Sequence, residues 1–319
     1  MQKYRVVFMG TPIFATVVLA ALQKLAPEIE IIGIVTQPDQ KIGRKQIVQF
    51  SPVKESALAK QIPVFQPEKI NDLYQELVTL QPDVIVTCAY GQFIPERILK
   101  LVRINCINVH GSLLSKLRGG APIHKAIIYG EKETGITLMK MIKQMDAGEV
   151  YVQTAIPIMS TDTASSLHDR LMVLAGTMIE KYLLDIITGK IKGTPQDDSK
   201  ATFAYNITRD EEKVNWFLPK QKIVDQIRGL WAWPIAYTIV NNVHYKLHQA
   251  MIANEPLAEK DADFVNGTII GVLKNGIKVK VEDGYLLITR LQREGKKVTD
   301  AKNYYHSASP EIMVGNIFI

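Results

Sequence analysis

Short apolar runs alternate with segments of helical spacing in the first third of the chain, and no other feature restricts the fold as strongly. The apolar runs lie at residues 4–9, 31–35, 83–89 and 104–109. Segments with helical spacing lie around or between them, at residues 14–25, 56–60, 72–80 and 95–101. This alternation predicts an α/β domain with a doubly wound, mostly parallel sheet and helices on both faces, a Rossmann-like arrangement.

Polar and glycine-containing segments follow or end several of these runs. They are Gly10-Thr-Pro12, Thr36-Gln-Pro-Asp39, Tyr90-Gly-Gln92 and Asn108-Val-His110. Ligands of open parallel sheets bind beyond the carboxyl ends of the strands, so we predict a ligand site at this edge. A dinucleotide site is unsupported, because the first turn lacks the three-glycine pattern and no acidic residue ends the second run.

The texture of the sequence changes after residue 189. A helix is predicted at residues 165–187 and closed by Gly189, and a polar stretch without periodicity follows. A short helix at 220–230 then precedes strand-like runs at 236–240, 244–250, 267–273, 277–281 and 285–291. Asn275-Gly276 and Asp283-Gly284 are typical of tight hairpins. We therefore predict a first domain at 1–189, a linker at 190–207, and a small antiparallel OB-like β-barrel at 208–319.

The chain carries a formal net charge of +6, and its basic residues fall into three groups. The first group is Lys41, Arg44, Lys45 and Lys54; the second is Lys116, Arg118 and Lys125; the third is Arg290, Arg293, Lys296, Lys297 and Lys302. Strict alternation in Ile277-Lys-Val-Lys-Val281 further predicts a wet basic face on one barrel strand. Each group alone is consistent with an ordinary solvated surface, and together they favour an RNA or phosphate partner.

Asn108 and His110 are the most informative polar residues of the first domain. They lie two positions apart at the end of an apolar run, so a strand places both side chains on one face. Burying an amide and an imidazole costs free energy unless both are hydrogen-bonded, which is typical of a site. The alternative is a polar strand end followed by a Gly-Ser turn. Asp146 precedes Ala-Gly and fits a turn, and it gains a catalytic meaning only if it meets His110.

Several other functions find no support in the sequence. The histidines are scattered, and His244 and His248 lie in a predicted strand, so we expect no metal site. Neither a serine-hydrolase elbow nor a phosphate-binding loop is present. Cys88 and Cys106 sit in apolar runs, which indicates buried reduced thiols. We expect no signal peptide and no membrane span, and hence a cytoplasmic protein.

Four separated motifs, taken in order, resemble the signature of the folate-dependent formyltransferases. They are Asn108-Val-His110-Gly-Ser-Leu-Leu114, Arg118-Gly-Gly-Ala-Pro-Ile123, Gly135-Ile-Thr-Leu138 and Met145-Asp-Ala-Gly148. The first turn, the loop from Thr36 to Lys54 and the segment Gln226–Pro234 are similar to the branch of that family that acts on tRNA. The sequence departs from the family at Ser115 and Leu117, where a proline and an aromatic residue are usual, and at Trp231-Ala232.

The resemblance implies transfer of the formyl group of 10-formyltetrahydrofolate to the α-amino group of methionine on initiator tRNA. It implies Asn108, His110 and Asp146 as catalytic residues, with no metal. It implies folate contacts from residues in two loops, which are Ala89, Tyr90, Gly91, Gln92, Ser112, Leu113, Leu114 and Ser115. For the tRNA it implies contacts from Lys41, Arg44 and Lys45, and we expect a monomer.

Two alternatives remain at the level of the sequence. A formyltransferase acting on a UDP-amino-sugar would carry the same catalytic residues and a similar barrel. The basic residues, and the loop that runs from Gln37 to Arg44, favour tRNA over this acceptor. The other alternative is a non-catalytic RNA-binding module, against which the intact set of asparagine, histidine and aspartate speaks.

Overall fold

The chain divides into two compact units in a computed structural model that describes residues 3–43, 46–307 and 309–319. The first unit comprises Met1–Pro122, Glu133–Pro157 and His168–Ala204. The second comprises Ile123–Lys132, Ile158–Leu167 and Tyr205–Ile319. The predicted domain boundaries at 189 and 208 remain a proposal, and residues 190–204 belong to the first unit in this division.

A seven-stranded sheet forms the centre of the first unit, in the order β5-β2-β1-β6-β7-β8-β9. The strands of this unit are β1 (Tyr4–Gly10), β2 (Ile29–Val35), β3 (Gln40–Ile42), β4 (Ile47–Gln49), β5 (Val64–Phe65), β6 (Val84–Cys88), β7 (Asn105–His110), β8 (Glu133–Lys140) and β9 (Val150–Pro157). Strands β5, β2, β1, β6 and β7 run parallel, whereas β8 and β9 pair antiparallel beyond them. The predicted α/β fold with a mostly parallel sheet is confirmed.

Helices connect the parallel strands, as the alternation predicts. They are α1 (Ile13–Lys24), α2 (Pro52–Leu58), α3 (Tyr74–Leu80) and α4 (Glu96–Leu99). Two further helices lie outside these connections: α5 (Pro122–Tyr129) precedes the antiparallel β8, and α6 (Ala164–Ile187) follows β9. Helix α2 begins four residues before the predicted segment because Ser51 caps it, accepting a hydrogen bond from the Lys54 amide at 3.1 Å, with Pro52 in the first position. Strands β3 and β4 pair as a hairpin that the sequence pattern did not predict.

The second unit contains an antiparallel sheet in the order β10-β11-β14-β13-β12, with β15 beside β14. Its elements are α7 (Arg209–Glu212), α8 (Lys220–Gly229), β10 (Tyr237–Val240), β11 (Val243–Ile252), β12 (Ile269–Leu273), β13 (Gly276–Val281), β14 (Gly284–Arg293), β15 (Thr299–Asp300) and α9 (Lys302–His306). The last residues close the sheet, since Ile269 N donates to Asn316 O at 2.8 Å and Ile239 N donates to Ile319 O at 2.9 Å. The predicted antiparallel second domain is confirmed.

The wet basic face predicted for β13 is wrong. Lys280 is buried and donates to Asn266 Oδ1 at 2.7 Å. Lys278 lies 3.7 Å above the ring of Tyr285 and pairs with Glu255 at 2.9 Å. Strict alternation predicts two faces, but it does not reveal that a loop covers the second face with acceptors for both ammonium groups.

Within the described part of the chain, no helix is both long enough and apolar enough to cross a membrane. Cys88 on β6 and Cys106 on β7 are buried with free thiols. Burial raises the pKa of the Cys106 thiol to about 12 and raises that of Cys88 as well. Both thiols are therefore kept in the unreactive protonated form.

Candidate active site

Three side chains converge at the carboxyl end of β7. Asn108 Nδ2 lies 3.5 Å from Asp146 Oδ1, and His110 Nδ1 lies 3.7 Å from Asp146 Oδ2. Asn108 and His110 stand on the same face of the strand, as their spacing predicts. Asp146 comes from the loop between β8 and β9. Asp146 lies 36 positions after His110 in the sequence (146 − 110). The antiparallel pairing of β7 and β8, with the loop that follows β8, places Asp146 beside His110.

His110 is held in one orientation by a backbone carbonyl. It is buried, and its Nε2 lies 3.0 Å from the oxygen of Leu117. A carbonyl oxygen only accepts, so Nε2 carries a hydrogen and donates it, which leaves Nδ1 for the site. A proton gained at Nδ1 would give an imidazolium whose charge faces the Asp146 carboxylate, as in other sites where a carboxylate stabilises a charged histidine.

Asn108 is oriented by a residue of the neighbouring strand. Thr87 Oγ1, on β6 opposite Asn108, donates to Asn108 Oδ1 at 2.8 Å. With its oxygen engaged in this way, Asn108 presents its Nδ2 group as a donor. The arrangement gives the site a neutral donor with a fixed direction. The threonine within the apolar run at residues 83–89 was the available signal for this partner, and the sequence reasoning missed it.

Asp146 lies in a turn with positive φ. Its φ is 49°, in the left-handed region that few residues other than glycine adopt. The amide of Gly119 donates to Asp146 Oδ2 at 2.9 Å, so the loop after β7 holds the carboxylate from one side. Asp146 is therefore both the turn residue and the partner of His110 that the sequence analysis treated as alternatives.

The loop at residues 112–117 carries four of the predicted folate contacts and packs tightly on β8 and β9. Thr137 Oγ1 donates to the Ser112 carbonyl at 2.6 Å, and Gln153 Nε2 donates to the Leu114 carbonyl at 2.6 Å. The Ser112 side chain is buried and donates to Lys116 O at 2.7 Å. Leu113 and Ser115 are half-buried. Any ligand contact from Ser112 therefore comes from its backbone rather than from its hydroxyl.

The loop after β6 carries the other predicted folate contacts. Ala89 and Gly91 are exposed and have positive φ, whereas Tyr90 is buried and its phenol pKa is raised to about 12 by that burial. Thr11 Oγ1 and Gln37 Nε2 both donate to the Tyr90 carbonyl, at 2.9 and 3.1 Å. The turns after β1, β2 and β6 are thus joined at one edge.

Gln92 acts as a brace in the same loop. Its Oε1 accepts from the Ile70 amide at 2.7 Å, and its Nε2 lies within 3.3 Å of the carbonyls of Pro67 and Glu68. This side chain fixes the loop against the segment before α3. Gln92 therefore stabilises the loop through hydrogen bonds between its side chain and the backbone of residues 67–70.

Basic residues of the first two groups are more engaged than the sequence suggests. Lys54 pairs with Asp39 at 2.6 Å, which holds the pKa of that carboxyl below its usual value together with a hydrogen bond from Gln66. Lys125 is buried and pairs with Glu211. Arg118 is only 2% exposed, and its guanidinium bonds to Asp198 at 2.7 Å. Two of the three residues of the second group are therefore buried, and only Lys116 is exposed as the sequence predicted.

One of the three predicted tRNA contacts lies among the described residues. Lys41 lies on β3 and is exposed. Arg44 and Lys45 lie outside the described residues. The third basic group is divided: Arg293 pairs with Glu311 at 2.7 Å, whereas Arg290, Lys296 and Lys297 are exposed.

Lys246 and Arg290 form a basic patch on the outer face of β11 and β14. Both are exposed, and both lower the pKa of His248, which lies between them in the sheet. The larger cause of that lowering is burial of the imidazole, and a hydrogen bond to Gln292 opposes it. The sequence pattern predicts the barrel's basic face on β13, whereas these two exposed charges lie on β11 and β14.

Among residues 3–43, 46–307 and 309–319, no three histidine, cysteine, aspartate or glutamate side chains gather where they could hold a metal ion. The chemistry that the site offers is that of oriented donors beside a carboxylate. Such a set is suited to a reaction that develops negative charge on an oxygen while a proton moves.

Family models and relatives show to which family the chain belongs. A model described as Formyl transferase matches residues 4–182, more than half of the chain, and one described as Formyl transferase, C-terminal domain, matches residues 206–309. The chain is 45% identical over 317 residues to the methionyl-tRNA formyltransferase of Mycoplasma mycoides subsp. mycoides, and 43% identical over 323 residues to that of Staphylococcus aureus. Each alignment covers 99% of both chains.

Solved structures share the fold at low identity. The N-formyltransferase from Helicobacter canadensis, in complex with folinic acid and dTDP-3-aminofucose, gives a TM-score of 0.67 at 17% identity, covering 92% of this chain and 100% of that chain. HypX from Aquifex aeolicus, in complex with tetrahydrofolic acid, gives 0.61 at 17% identity, covering 96% of this chain and 48% of that chain. The chain therefore belongs to the formyl transferase family and, within it, to the methionyl-tRNA formyltransferases. It is accordingly an enzyme, which removes the alternative of a non-catalytic RNA-binding module.

Proposed function

We propose that this chain transfers the formyl group of 10-formyltetrahydrofolate to the α-amino group of methionine on initiator tRNA, with Asn108, His110 and Asp146 as the catalytic residues. The proposal is carried by one observation: Asn108 and His110 each lie within 3.7 Å of the Asp146 carboxylate, at the carboxyl edge of the sheet. We also propose that the enzyme acts as a monomer in the cytoplasm, where charged initiator tRNA is used.

Attack of the amine on the formyl carbon gives a tetrahedral intermediate with a negatively charged oxygen. Asn108 Nδ2 and His110, protonated at Nδ1, are the donors for that oxygen. A preorganised donor of this kind typically lowers the activation barrier by about 2.7–4 kcal/mol. When the bond from the carbon to the folate N10 breaks, N10 gains the proton that the nitrogen of the new amide loses, and the formyl group stays on that amide.

Asp146 manages the proton in this scheme. The attacking group arrives as an ammonium and must lose a proton before its nitrogen can form the bond. The Asp146 carboxylate, held by Gly119 N and facing His110, accepts it directly or through a water. Until it accepts that proton, its negative charge stabilises the imidazolium form of His110.

The folate donor is proposed to lie between the loop at residues 89–92 and the loop at residues 112–115. The exposed Ala89 and Gly91 offer backbone groups, and Leu113 offers a half-buried apolar side chain. Tyr90, Gln92, Ser112, Leu114 and Ser115 would shape the two loops through the contacts described above. A solved relative of the same fold that holds tetrahydrofolic acid supports this choice of donor.

The tRNA is proposed to contact Lys41, on β3, together with Arg44 and Lys45, and also the patch of Lys246 and Arg290 on the second unit. Contacts between basic side chains and phosphates release counterions, so affinity falls as salt rises. An affinity that stays constant from low to moderate salt would contradict this part of the proposal.

The decisive experiment offers two acceptors to the purified enzyme with 10-formyltetrahydrofolate. We expect rapid formylation of methionyl initiator tRNA and no product from a UDP-amino-sugar. Formylation of the sugar in preference to the charged tRNA would overturn the proposed acceptor and restore the alternative raised by the sequence. Uncharged initiator tRNA is the control for binding without reaction.

A further inference from the structure

The polar stretch after α6 is bonded along its length to the loop that surrounds the site. Leu117 N donates to Thr202 Oγ1 at 2.9 Å, Arg118 N donates to the Thr202 carbonyl at 2.9 Å, and Ala204 N donates to the Arg118 carbonyl at 2.7 Å. Leu117 is the residue whose carbonyl orients His110. This stretch, predicted as a linker, is therefore also a wall of the first unit.

Gln196 uses every polar atom of its side chain within this wall. Its Nε2 donates to the carbonyls of Asp146 and Gly148, at 2.8 and 2.7 Å. Its Oε1 accepts from Arg118 Nε and Nη2, at 3.1 and 2.8 Å.

Arg118 determines which way the Gln196 amide points. A guanidinium has only donors, so the amide oxygen must face it, and the amide nitrogen then faces the two carbonyls. Arg118 is itself buried and is held on its other side by Asp198. Side-chain contacts therefore run from Asp198 through Arg118 to Gln196. They end in two hydrogen bonds of fixed direction that Gln196 donates to the backbone of the turn that carries Asp146.

The catalytic turn needs such a restraint. Asp146 adopts a positive φ, which costs a non-glycine residue on the order of 1–2 kcal/mol. Gly148 runs so close to β8 that a Cβ there would lie 1.9 Å from the Lys140 carbonyl oxygen. Gly119 holds the Asp146 carboxylate and Gln196 holds its carbonyl, so the residue is fixed at both ends.

We propose that Gln196 is a positioning residue for formyl transfer, acting through Asp146. Its two donated hydrogen bonds hold the Asp146 carboxylate at the distance from His110 and Asn108 at which it serves the reaction. This inference rests on the catalytic role proposed for Asp146. It assigns a function in the chemistry to the stretch at residues 190–204 of the first unit, which the sequence pattern marks only as polar.

The variant Gln196→Glu isolates the donated hydrogen bonds. A glutamate keeps an oxygen for Arg118 but cannot donate to the carbonyls of Asp146 and Gly148 when ionised. We expect kcat to fall on the order of 10- to 100-fold, because small misplacements of a catalytic group have effects of that size, with KM for both substrates unchanged. Wild-type kcat, or a raised KM with kcat intact, would overturn the proposal.

A matched pair of alanine variants separates positioning from general loss of structure. In Gln226 the Nε2 likewise donates to two backbone carbonyls, those of Glu211 and Lys213, both at 2.9 Å. Gln196→Ala and Gln226→Ala therefore each remove two hydrogen bonds donated to backbone carbonyls, and Gln196→Ala also removes the two bonds from Arg118. We expect only Gln196→Ala to lower kcat per folded molecule, with folding followed by circular dichroism. Equal losses in both variants would contradict the proposal.

The double variant Asp146→Ala/Gln196→Glu distinguishes failure of this inference from failure of the proposed function. If Gln196 acts through Asp146, the second substitution has no further effect on kcat once Asp146 is removed. Independent, multiplicative losses would overturn the positioning role while leaving the catalytic role of Asp146 intact. A fully active Asp146→Ala enzyme would instead overturn the proposed function itself.

Discussion

The two sheets of this enzyme differ in where their polar residues lie and in how firmly those residues are held. The seven-stranded sheet gathers Asn108 and His110, with Asp146 from the next loop, at one edge, and fixes each of them with hydrogen bonds. The barrel of the second unit has an apolar interior and carries exposed charges such as Lys246 and Arg290 on its outer face.

In the proposed function, this difference assigns the chemistry to the first sheet and part of the tRNA binding to the second. Fixed donors in a half-buried edge are suited to stabilising a transition state, since they need no reorganisation when charge develops. Exposed lysines and arginines are suited to attracting a polyanion, and their effect weakens with salt. Substitutions at the edge should therefore change kcat, and substitutions on the outer face should change affinity.

The largest expected effect is that of His110→Ala at the sheet edge. We expect kcat to fall about 10²- to 10⁴-fold, the range typical of residues in acid–base and charge stabilisation, with tRNA affinity unchanged. Steady-state formylation and filter binding measure the two quantities. A loss of affinity with an unchanged kcat would reverse the roles given to the two sheets.

In the barrel core, Ile288→Ala should lower the free energy of unfolding by about 2–5 kcal/mol. Ile288 is fully buried between Ile277 and Ala250 on the neighbouring strands, so truncation leaves a cavity. Urea unfolding followed by circular dichroism gives the change. Because the proposed catalytic residues lie in the other unit, molecules that remain folded should keep their kcat at saturating tRNA. A loss of kcat in those molecules would contradict the comparison.

On the outer face of the barrel, Lys246→Ala/Arg290→Ala should weaken tRNA binding at low salt and leave kcat unchanged. The slope of log affinity against log salt should fall by about 2, roughly one for each phosphate contact removed. Lys278→Gln is the control, because Lys278 is engaged with Glu255 and Tyr285 and should not alter the slope. An unchanged slope in the double variant would remove this patch from the tRNA surface.

The smallest effect expected is a pH dependence of stability from His248. Burial and the nearby charges of Arg290 and Lys246 lower its pKa from the ordinary 6.5. The unfolded chain then binds the proton more readily, so the stability is full above about pH 6.5 and falls as pH drops toward the lower folded value. Thermal unfolding of His248→Gln between about pH 8 and pH 5 should show a shallower decline than the wild type. Identical declines would contradict this assignment.

Much of the architecture was predictable from the sequence, because buried strands and amphipathic helices each have a characteristic spacing of apolar residues. That spacing is visible within a short stretch of the sequence. The spacing of Asn108 and His110 likewise predicted a shared face. Their meeting with Asp146 depends on the antiparallel return of β8 and β9, which no local pattern contains. The short hairpin of β3 and β4 left no periodic signal either.

Charge was less predictable than fold. Arg118 and Lys125 read as surface residues, but each is buried against an acidic partner distant in sequence, Asp198 and Glu211. The distances along the chain are 80 and 86 residues, so only the folded structure reveals the pairing. Gln196 was unpredictable for the same reason, since its partners lie in two loops that are separated in the sequence.

The most direct test of the account is single-turnover formyl transfer by Asp146→Asn. Asparagine keeps the size of the side chain and can still accept from Gly119 N, but it has no negative charge. We predict that the rate of transfer to methionyl initiator tRNA falls about 10²- to 10⁴-fold while the affinity for that tRNA is unchanged. A rate close to that of the wild type would contradict the claim that the sheet edge at Asn108, His110 and Asp146 is where the reaction takes place.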